Sequence, residues 1–152
     1  MASSNTTTIT AQMLIRCPAT EVFNAFIDPA ITTNFWFTKS TGKLETGKTV
    51  TWTWEMYGVS SNVHVKEIIP NQKIVVEWND PVTTIEFNFQ DRGDGTTYLV
   101  INNYGFRLEG AELVKAVNDN TGGFTTVVDG LKAWLEHGIR LNLIGDKFPG
   151  GH

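Results

Sequence analysis

The feature that most constrains the fold is a two-residue alternation in the middle of the chain. Apolar side chains occupy every second position from Val50 to Met56, and threonines or a glutamate stand between them. Successive side chains of a β-strand point to opposite faces of its sheet. The alternation therefore predicts a strand that is buried on one face and solvated on the other.

Further strands are predicted on both sides of this one. Residues 7–15 are apolar enough for a strand, and runs 74–78 and 85–89 each place their large apolar side chains on one face. Short runs joined by tight turns are typical of an antiparallel meander. Turns are predicted where Gly, Pro, Asn and Asp separate the runs, at Thr46-Gly47, Tyr57-Gly58, Pro70-Asn71, Asp80-Pro81 and Arg92-Gly93-Asp94-Gly95.

Two short helical segments follow the first strand. Pro18 and Glu21 are typical of a first helical turn, and Asp28-Pro29 predicts the end of that helix. A second helical turn is predicted over 30–34, and it leads directly into the aromatic tripeptide Phe35-Trp36-Phe37.

The C-terminal part of the chain is helical in pattern. From Gly122-Gly123 to Leu135, apolar residues recur at helical spacing, and residues 113–117 predict a separate, shorter helix before them. His137 and Gly138 fit a last helical turn and its cap. The order of elements predicts an α+β fold, in which a curved antiparallel sheet of about six to seven strands wraps around a long C-terminal helix.

The length of 152 residues predicts one domain. We expect residues 7–144 to form it, with a flexible tail at 1–6 and a second tail at 145–152. Seventeen aromatic residues (nine Phe, five Trp and three Tyr) and 20 threonines favour a sheet-rich interior.

Charge and patterning exclude several classes of function. A net charge of −4, with no cluster of Lys and Arg among aromatics, argues against nucleic acid binding. The chain has no run of 18 apolar residues, so membrane insertion is not expected. A single cysteine, Cys17, and an N-terminus without the pattern of a secretory signal lead us to expect a cytoplasmic location.

Catalytic and metal-binding patterns find little support. The serines do not stand in a Gly-x-Ser-x-Gly turn, and Cys17 is expected to be a small buried apolar residue. His64, His137 and His152 are far apart, and His64 is expected to face solvent, so we expect no metal site. Glycine-rich phosphate loops are absent from the sequence, and no cofactor is expected.

One polar residue is predicted to face the interior. Asn103 shares the face of Leu99 and Ile101, where it would either orient a bound molecule or hydrogen-bond the backbone at the end of its strand. A one-residue slip in register would place Tyr98, Asn102 and Tyr104 on that side instead.

Five segments together resemble a known superfamily. They are ATEVFNAFIDP at 19–29, NFWF at 34–37, IPNQKIVVEW at 69–78, GTT at 95–97 with NYGF at 103–106, and GF at 123–124 with VDGLKAWLE at 128–136. Their order and spacing are similar to those of the START-like helix-grip superfamily, also called birch-allergen-like or SRPBCC. The nearest group is the bacterial domains related to the activator of the heat-shock-protein-90 ATPase. Phe35 and Phe124 depart from the pattern, because the family often has Trp there.

The resemblance implies a cavity between the sheet and the C-terminal helix. Bulky aromatic residues would line this cavity. For any one of them taken alone, a role in filling the core is more common than contact with a ligand, and only the group together favours a cavity wall. The predicted lining residues are Phe35, Trp36, Trp52, Trp54, Val63, Val65, Trp78, Phe87, Asn103, Phe124, Val128 and Leu131.

These residues favour a protein that binds a small apolar or aromatic molecule, with lipid-like molecules included in that class, and acts as a monomer or homodimer. One alternative is an enzyme similar to polyketide cyclases or hydrolases, for which Asn103, Tyr104 or Glu67 would serve. The other alternative is an interaction module that acts on a chaperone, which the name of the related family implies.

Overall fold

The computed structural model describes residues 7–79 and 81–151, so the predicted tail at 1–6 and the residue Asp80 of one predicted turn lie outside it. These described residues form seven strands, four helices and one 3₁₀ turn. In chain order they are β1 (Thr8–Ile15), α1 (Ala19–Ile27), α2 (Pro29–Thr32), β2 (Lys39–Ser40), β3 (Thr49–Trp54), the 3₁₀ turn (Glu55–Tyr57), β4 (Val59–Ile69), β5 (Lys73–Trp78), β6 (Thr83–Asp91), β7 (Thr97–Tyr104), α3 (Gly110–His137) and α4 (Leu143–Lys147).

The seven strands form one curved antiparallel sheet in the order β1-β7-β6-β5-β4-β3-β2. Neighbours in the sheet are neighbours in sequence, except that β1 pairs with β7 across the chain. The register of β4 on β5 shifts between Val65 and Glu67, which marks a bulge. The predicted α+β fold, with two short helices after the first strand and a long C-terminal helix, is confirmed.

The short helices begin and end where local chemistry requires it. Pro18 is the N-cap of α1, where its missing N–H costs no hydrogen bond. Asp28 then separates the two helices, and its carboxylate accepts a hydrogen bond from the Ala30 N–H at 3.0 Å. At the other end of the chain, Gly138 closes α3 in the left-handed conformation, at φ +64°.

Two boundaries differ from the sequence prediction. The apolar residues near Leu113 and those after Gly123 belong to one helix, α3, and not to a short helix and a long one. The alternating strand ends at Trp54, because the chain turns into the 3₁₀ segment, and Met56 is 40% exposed instead of buried.

Helix α3 packs on the sheet beside β1 with its C-terminal half. Its buried residues are Phe124, Val127, Val128, Gly130 and Leu131, whereas Val114 in the first half is 68% exposed. One apolar core lies between this half of α3, the inner face of the sheet and helix α1. Among the described residues, no helix is long and apolar enough to cross a membrane.

Candidate functional site

The alternation of the strands carries the predicted residues to the inner face of the sheet. Trp52 on β3, Val63 and Val65 on β4, and Phe87 on β6 are almost fully buried. Trp54 and Trp78 share that face but are only partly buried, because each stands at the end of its strand. The predicted inner face is confirmed.

The register of β7 is the one expected. Asn103 pairs with Ile85 and is 0% exposed, in line with buried Leu99 and Ile101. Its neighbours Tyr104 and Asn102 point to the outer face, where the Asn102 side-chain carbonyl accepts a hydrogen bond from the Thr10 hydroxyl at 2.8 Å. The register slip considered from the sequence therefore does not occur.

Trp36 lies at the centre of the aromatic cluster, between the sheet and α3. Its indole is 4.8 Å from the Trp52 ring and 6.1 Å from the Trp78 ring, measured between centroids. The Phe124 ring on α3 lies 6.0 Å away on the other side. Trp36 thus connects the two layers of the fold, and it comes from the segment between α2 and β2 rather than from either layer.

The helix contributes the opposite wall. Phe124 lies 5.7 Å from Trp78, and Val128 and Leu131 are buried one and two turns further along α3. Phe35 packs edge-on against Phe26 at 5.5 Å. All twelve residues predicted as lining therefore face one interior, in which neighbouring aromatic rings contact one another.

Two buried side-chain polar atoms of this interior have no hydrogen-bond partner in the described structure: the Trp78 indole N–H and the Asn103 side-chain carbonyl oxygen. The Asn103 amide group is satisfied, because it donates to the Thr83 hydroxyl at 3.1 Å and to the Thr84 carbonyl at 2.8 Å. Thr83 also pairs with Trp78 across β5 and β6. The unpaired donor and the unpaired acceptor thus flank the same threonine.

The C-terminal segment closes the interior on one side. Helix α4 packs its Ile144 on the core, and the Tyr57 hydroxyl donates a hydrogen bond to the Ile144 carbonyl. A cleft of about 20 Å³ remains between this segment and the residues Phe35, Trp36 and Gly130. That volume admits about one water molecule.

The residues considered for catalysis are not assembled. The Tyr104 hydroxyl donates to Glu86 at 2.7 Å on the outer face, where partial burial and that carboxylate raise its pKa to about 12. Glu67 is exposed on β4. Neither group faces the interior with Asn103. A general acid or base is therefore not available there from these residues.

Cys17 and His64 are not part of the aromatic cluster, and His152 lies outside the described residues. Burial and the nearby Glu21 carboxylate raise the pKa of the Cys17 thiol, which contacts the Leu135 carbonyl at 3.6 Å. His64 is exposed and hydrogen-bonds the Thr49 hydroxyl at 3.0 Å. Within residues 7–79 and 81–151, no group of three or more His, Cys, Asp or Glu side chains could hold a metal ion.

Sequence reasoning missed three members of the cluster. Phe37 stacks on Trp52 at 4.8 Å with an interplanar angle of 17°, and Phe26 packs on Phe87 at 4.9 Å. Both are apolar residues of segments already assigned to the core. The large size of their aromatic side chains was the signal that could have identified them as members of the cluster. Thr83, the partner of Asn103, follows a turn and carried no pattern of its own.

The profile of one protein family, described as "Activator of Hsp90 ATPase homolog 1-like protein", matches residues 16–136. The chain belongs to this family. The match begins just after β1 and ends within the last turn of α3, so it contains every residue of the aromatic cluster. No curated protein sequence matches the chain.

Solved structures of similar fold extend the relationship. Protein SSP2350 from Staphylococcus saprophyticus is 28% identical with a TM-score of 0.78, over 89% of this chain and 96% of that one. Aha1 from Colwellia psychrerythraea, solved as a dimer, is 15% identical with a TM-score of 0.73, over 87% and 98%. CalU16 from Micromonospora echinospora is 14% identical with a TM-score of 0.71, over 95% and 87%. At these low identities, the proteins from Colwellia and Micromonospora share only the fold with this member of the Hsp90-activator-like family.

Proposed function

We propose that the protein binds a small hydrophobic or aromatic molecule between the sheet and α3. The observation that carries the proposal is the pair of unpaired polar atoms on the inner face, the Trp78 N–H and the Asn103 carbonyl oxygen. Buried polar groups in proteins are nearly always hydrogen-bonded, and each one left unpaired costs about 1–3 kcal/mol. A bound molecule with complementary groups would recover that free energy.

The surroundings of the two atoms support an apolar ligand. None of the twelve lining residues has an ionisable side chain, since four of them are Trp and the other eight are Val, Leu, Phe or Asn. Sites for small molecules are typically apolar with a few polar groups that fix orientation. Aromatic walls also contribute ring contacts that aliphatic walls do not.

The other two functions lack a supporting contact in the described structure. Enzymatic turnover would require an acid or base beside Asn103, and Tyr104 and Glu67 point elsewhere. The name of the family refers to an activator of the Hsp90 ATPase, which is a property of the relatives that gave the family its name.

Tryptophan fluorescence and thermal unfolding test the proposal. We expect members of a library of aromatic and lipid-like compounds to quench the fluorescence and to raise Tm, because a ligand that binds only the folded state stabilises it. If no compound changes either quantity up to its solubility limit, the proposal is wrong.

A matched pair of variants locates the site. Asn103→Leu removes the buried carbonyl oxygen, and we expect it to weaken the binding of ligands with a hydrogen-bond donor by about tenfold, since a net hydrogen bond contributes about 1 kcal/mol or more. Asn102→Leu makes the same change on the outer face and should leave the Kd unchanged. Equal effects of the two variants would contradict a site on the inner face.

A further inference from the structure

We infer that Trp36 occupies the position of the ligand, so that binding requires its indole to leave the interior, and that the ligand is a flat fused-ring aromatic with one hydrogen-bond acceptor and one donor. The inference rests on the proposed function and specifies the ligand class for the same site. It also assigns Trp36 as the residue that controls access.

The position of Trp36 is the first support. Its ring lies between the layers of the fold and contacts rings from α1, α3, β3, β5 and β6. Centroid distances are 4.8 Å to Trp52, 5.8 Å to Phe37, 6.0 Å to Phe124, 6.1 Å to Trp78 and Phe87, and 6.3 Å to Phe26 and Trp54. Removal of this one side chain would leave a space of the size and shape of an indole, walled by aromatic rings.

The attachment of Trp36 is the second support. The surrounding rings stand mostly on strands or on helices α1 and α3, whereas Trp36 lies in the irregular segment between α2 and β2. Its backbone N–H bonds the Thr32 carbonyl at 3.0 Å, and regular pairing resumes with Thr38. Irregular segments open at lower free energy than the strands and helices beside them. Trp36, like Phe35 and Phe37 of the same segment, can thus leave with less disruption of the fold than a ring that stands on a strand or a helix.

Trp36 lines a cleft together with Phe35, Gly130 and residues 140–144 of the C-terminal segment, and this cleft gives the direction in which the indole would leave. Residues 139–142 of that segment carry no helix or strand. Movement of Trp36 in this direction displaces the C-terminal segment instead of a strand.

The polar atoms define the chemistry of the ligand. The Trp78 N–H has no acceptor, and its ring adjoins Trp36 directly. The Asn103 carbonyl oxygen has no donor, and the amide group of the same side chain donates to Thr83, the residue that pairs with Trp78. A ligand in place of the indole would present an acceptor to Trp78 and a donor toward Asn103. A hydroxyl group on a fused ring supplies both functions.

Complementation by small aromatics tests the shape and the polarity. We expect indole, naphthalene and 2-naphthol to raise the Tm of Trp36→Gly, and 2-naphthol to bind about tenfold more tightly than naphthalene because of its added hydrogen bonds. If Trp36→Gly is unfolded alone, refolding in the presence of 2-naphthol should restore cooperative unfolding. Trp134→Gly, which removes the half-buried indole on the flank of α3, is the matched control and should gain nothing.

The source of the polar preference is tested in the same background. We expect Trp78→Phe and Asn103→Leu, each added to Trp36→Gly, to remove most of the difference in affinity between 2-naphthol and naphthalene. The assigned ligand class would be overturned if none of the small aromatics stabilised Trp36→Gly. It would also be overturned if the preference for 2-naphthol over naphthalene were unchanged by both Trp78→Phe and Asn103→Leu.

The unmutated protein tests the displacement of Trp36. With 5-fluorotryptophan incorporated, the ¹⁹F resonance of Trp36 is assigned by its loss in Trp36→Phe. On saturation with a ligand found in the library, we expect this resonance to move to the position of a solvent-exposed indole. A ligand that binds while the resonance stays at its buried position overturns the inference and leaves the proposed function standing. Absence of any ligand for the unmutated protein and for Trp36→Gly overturns both.

Discussion

Glu136 illustrates how a single carboxylate joins α3 to the end of β1. Its Oε2 accepts hydrogen bonds from the Arg16 N–H at 2.8 Å and from the Lys132 ammonium at 2.6 Å, and Lys132 also donates to the Leu14 carbonyl at 2.7 Å. Burial alone raises the pKa of Glu136, whose side chain is 8% exposed. Together, the hydrogen bonds and the Lys132 charge have a larger effect than burial, so the pKa of Glu136 lies below its ordinary value of 4.5.

This lowered pKa makes part of the stability depend on pH. Because the folded pKa lies below the unfolded one, the contribution is complete above the unfolded value and is lost as pH falls through the folded value. We expect Glu136→Gln to lower the free energy of unfolding by about 1–3 kcal/mol at pH 7. The difference from the unmutated protein should shrink below about pH 4, as urea unfolding at both pH values would show.

The control for Glu136 lies on the same helix. Asp129 is exposed, and Asp129→Asn should change the free energy of unfolding by less than about 0.5 kcal/mol at either pH. A pH-independent cost of Glu136→Gln would mean that packing, and not charge, accounts for its effect.

Cys17 provides a second test at the scale of one residue. Burial and the Glu21 carboxylate raise the pKa of its thiol, so little thiolate is present at neutral pH. We therefore expect a disulfide reagent to modify the native protein far more slowly than the same protein in guanidinium chloride. Modification at equal rates in the two states would refute this assignment of Cys17 as an unreactive core residue.

Among the elements, α3 departs most from the sequence prediction. Glycine is unfavourable inside a helix, so Gly122-Gly123 predicted a boundary, yet the helix runs continuously from Gly110 to His137. Contacts of the second half with the sheet fix its axis, and the solvent-exposed first half then extends from an already formed helix. Elongation of a helix is much easier than its nucleation. The sequence pattern does not show that the packed second half of α3 supports its exposed first half.

The glycines of α3 differ in what surrounds them, and this predicts opposite effects of alanine. A Cβ at position 123 would meet no atom within 4 Å, so Gly123→Ala should raise the free energy of unfolding by about 0.5–1 kcal/mol. At position 130 a Cβ would lie 3.3 Å from the Phe35 Cβ and 3.4 Å from its carbonyl oxygen, so Gly130→Ala should gain nothing or destabilise. Chemical denaturation of the two variants gives the comparison, and equal changes would contradict the close approach.

For the whole molecule, periodicity predicted most of the fold and part of the site. Two-residue alternation determines which side of a strand is buried, so Trp52, Phe87 and Asn103 could be placed correctly. Trp36 could not be placed at the centre, because an irregular segment has no period and its path depends on tertiary contacts. The hydrogen bond from the Asn103 amide to the Thr83 hydroxyl could not be predicted either, because it depends on which strands are neighbours in the sheet.

The C-terminal segment offers a test at the same scale. Its Ile144 packs on the core, and the Tyr57 hydroxyl bonds the backbone there. We expect a chain that ends at Gly138 to unfold at a Tm several degrees lower and to show stronger quenching of tryptophan by acrylamide, because Trp36 loses its cover. Tyr57→Phe should reproduce part of both changes. Unchanged quenching in the shortened chain would show that this segment does not shield the cluster.

The hydrogen bonds at the two sides of the sheet also bear on how copies of the protein meet. At β1, Lys132 and Glu136 occupy the Leu14 carbonyl and the Arg16 N–H. On the other side, the two-residue edge strand β2 and the residues beside it cover β3. The Thr38 N–H donates to the Thr53 carbonyl, and the Thr41 hydroxyl accepts from the Thr51 N–H. Main-chain groups that are already bonded cannot recruit a strand from another molecule. We therefore expect that the sheet resists growth into fibrils at these points, and that any association between copies uses side-chain faces instead of shared strands.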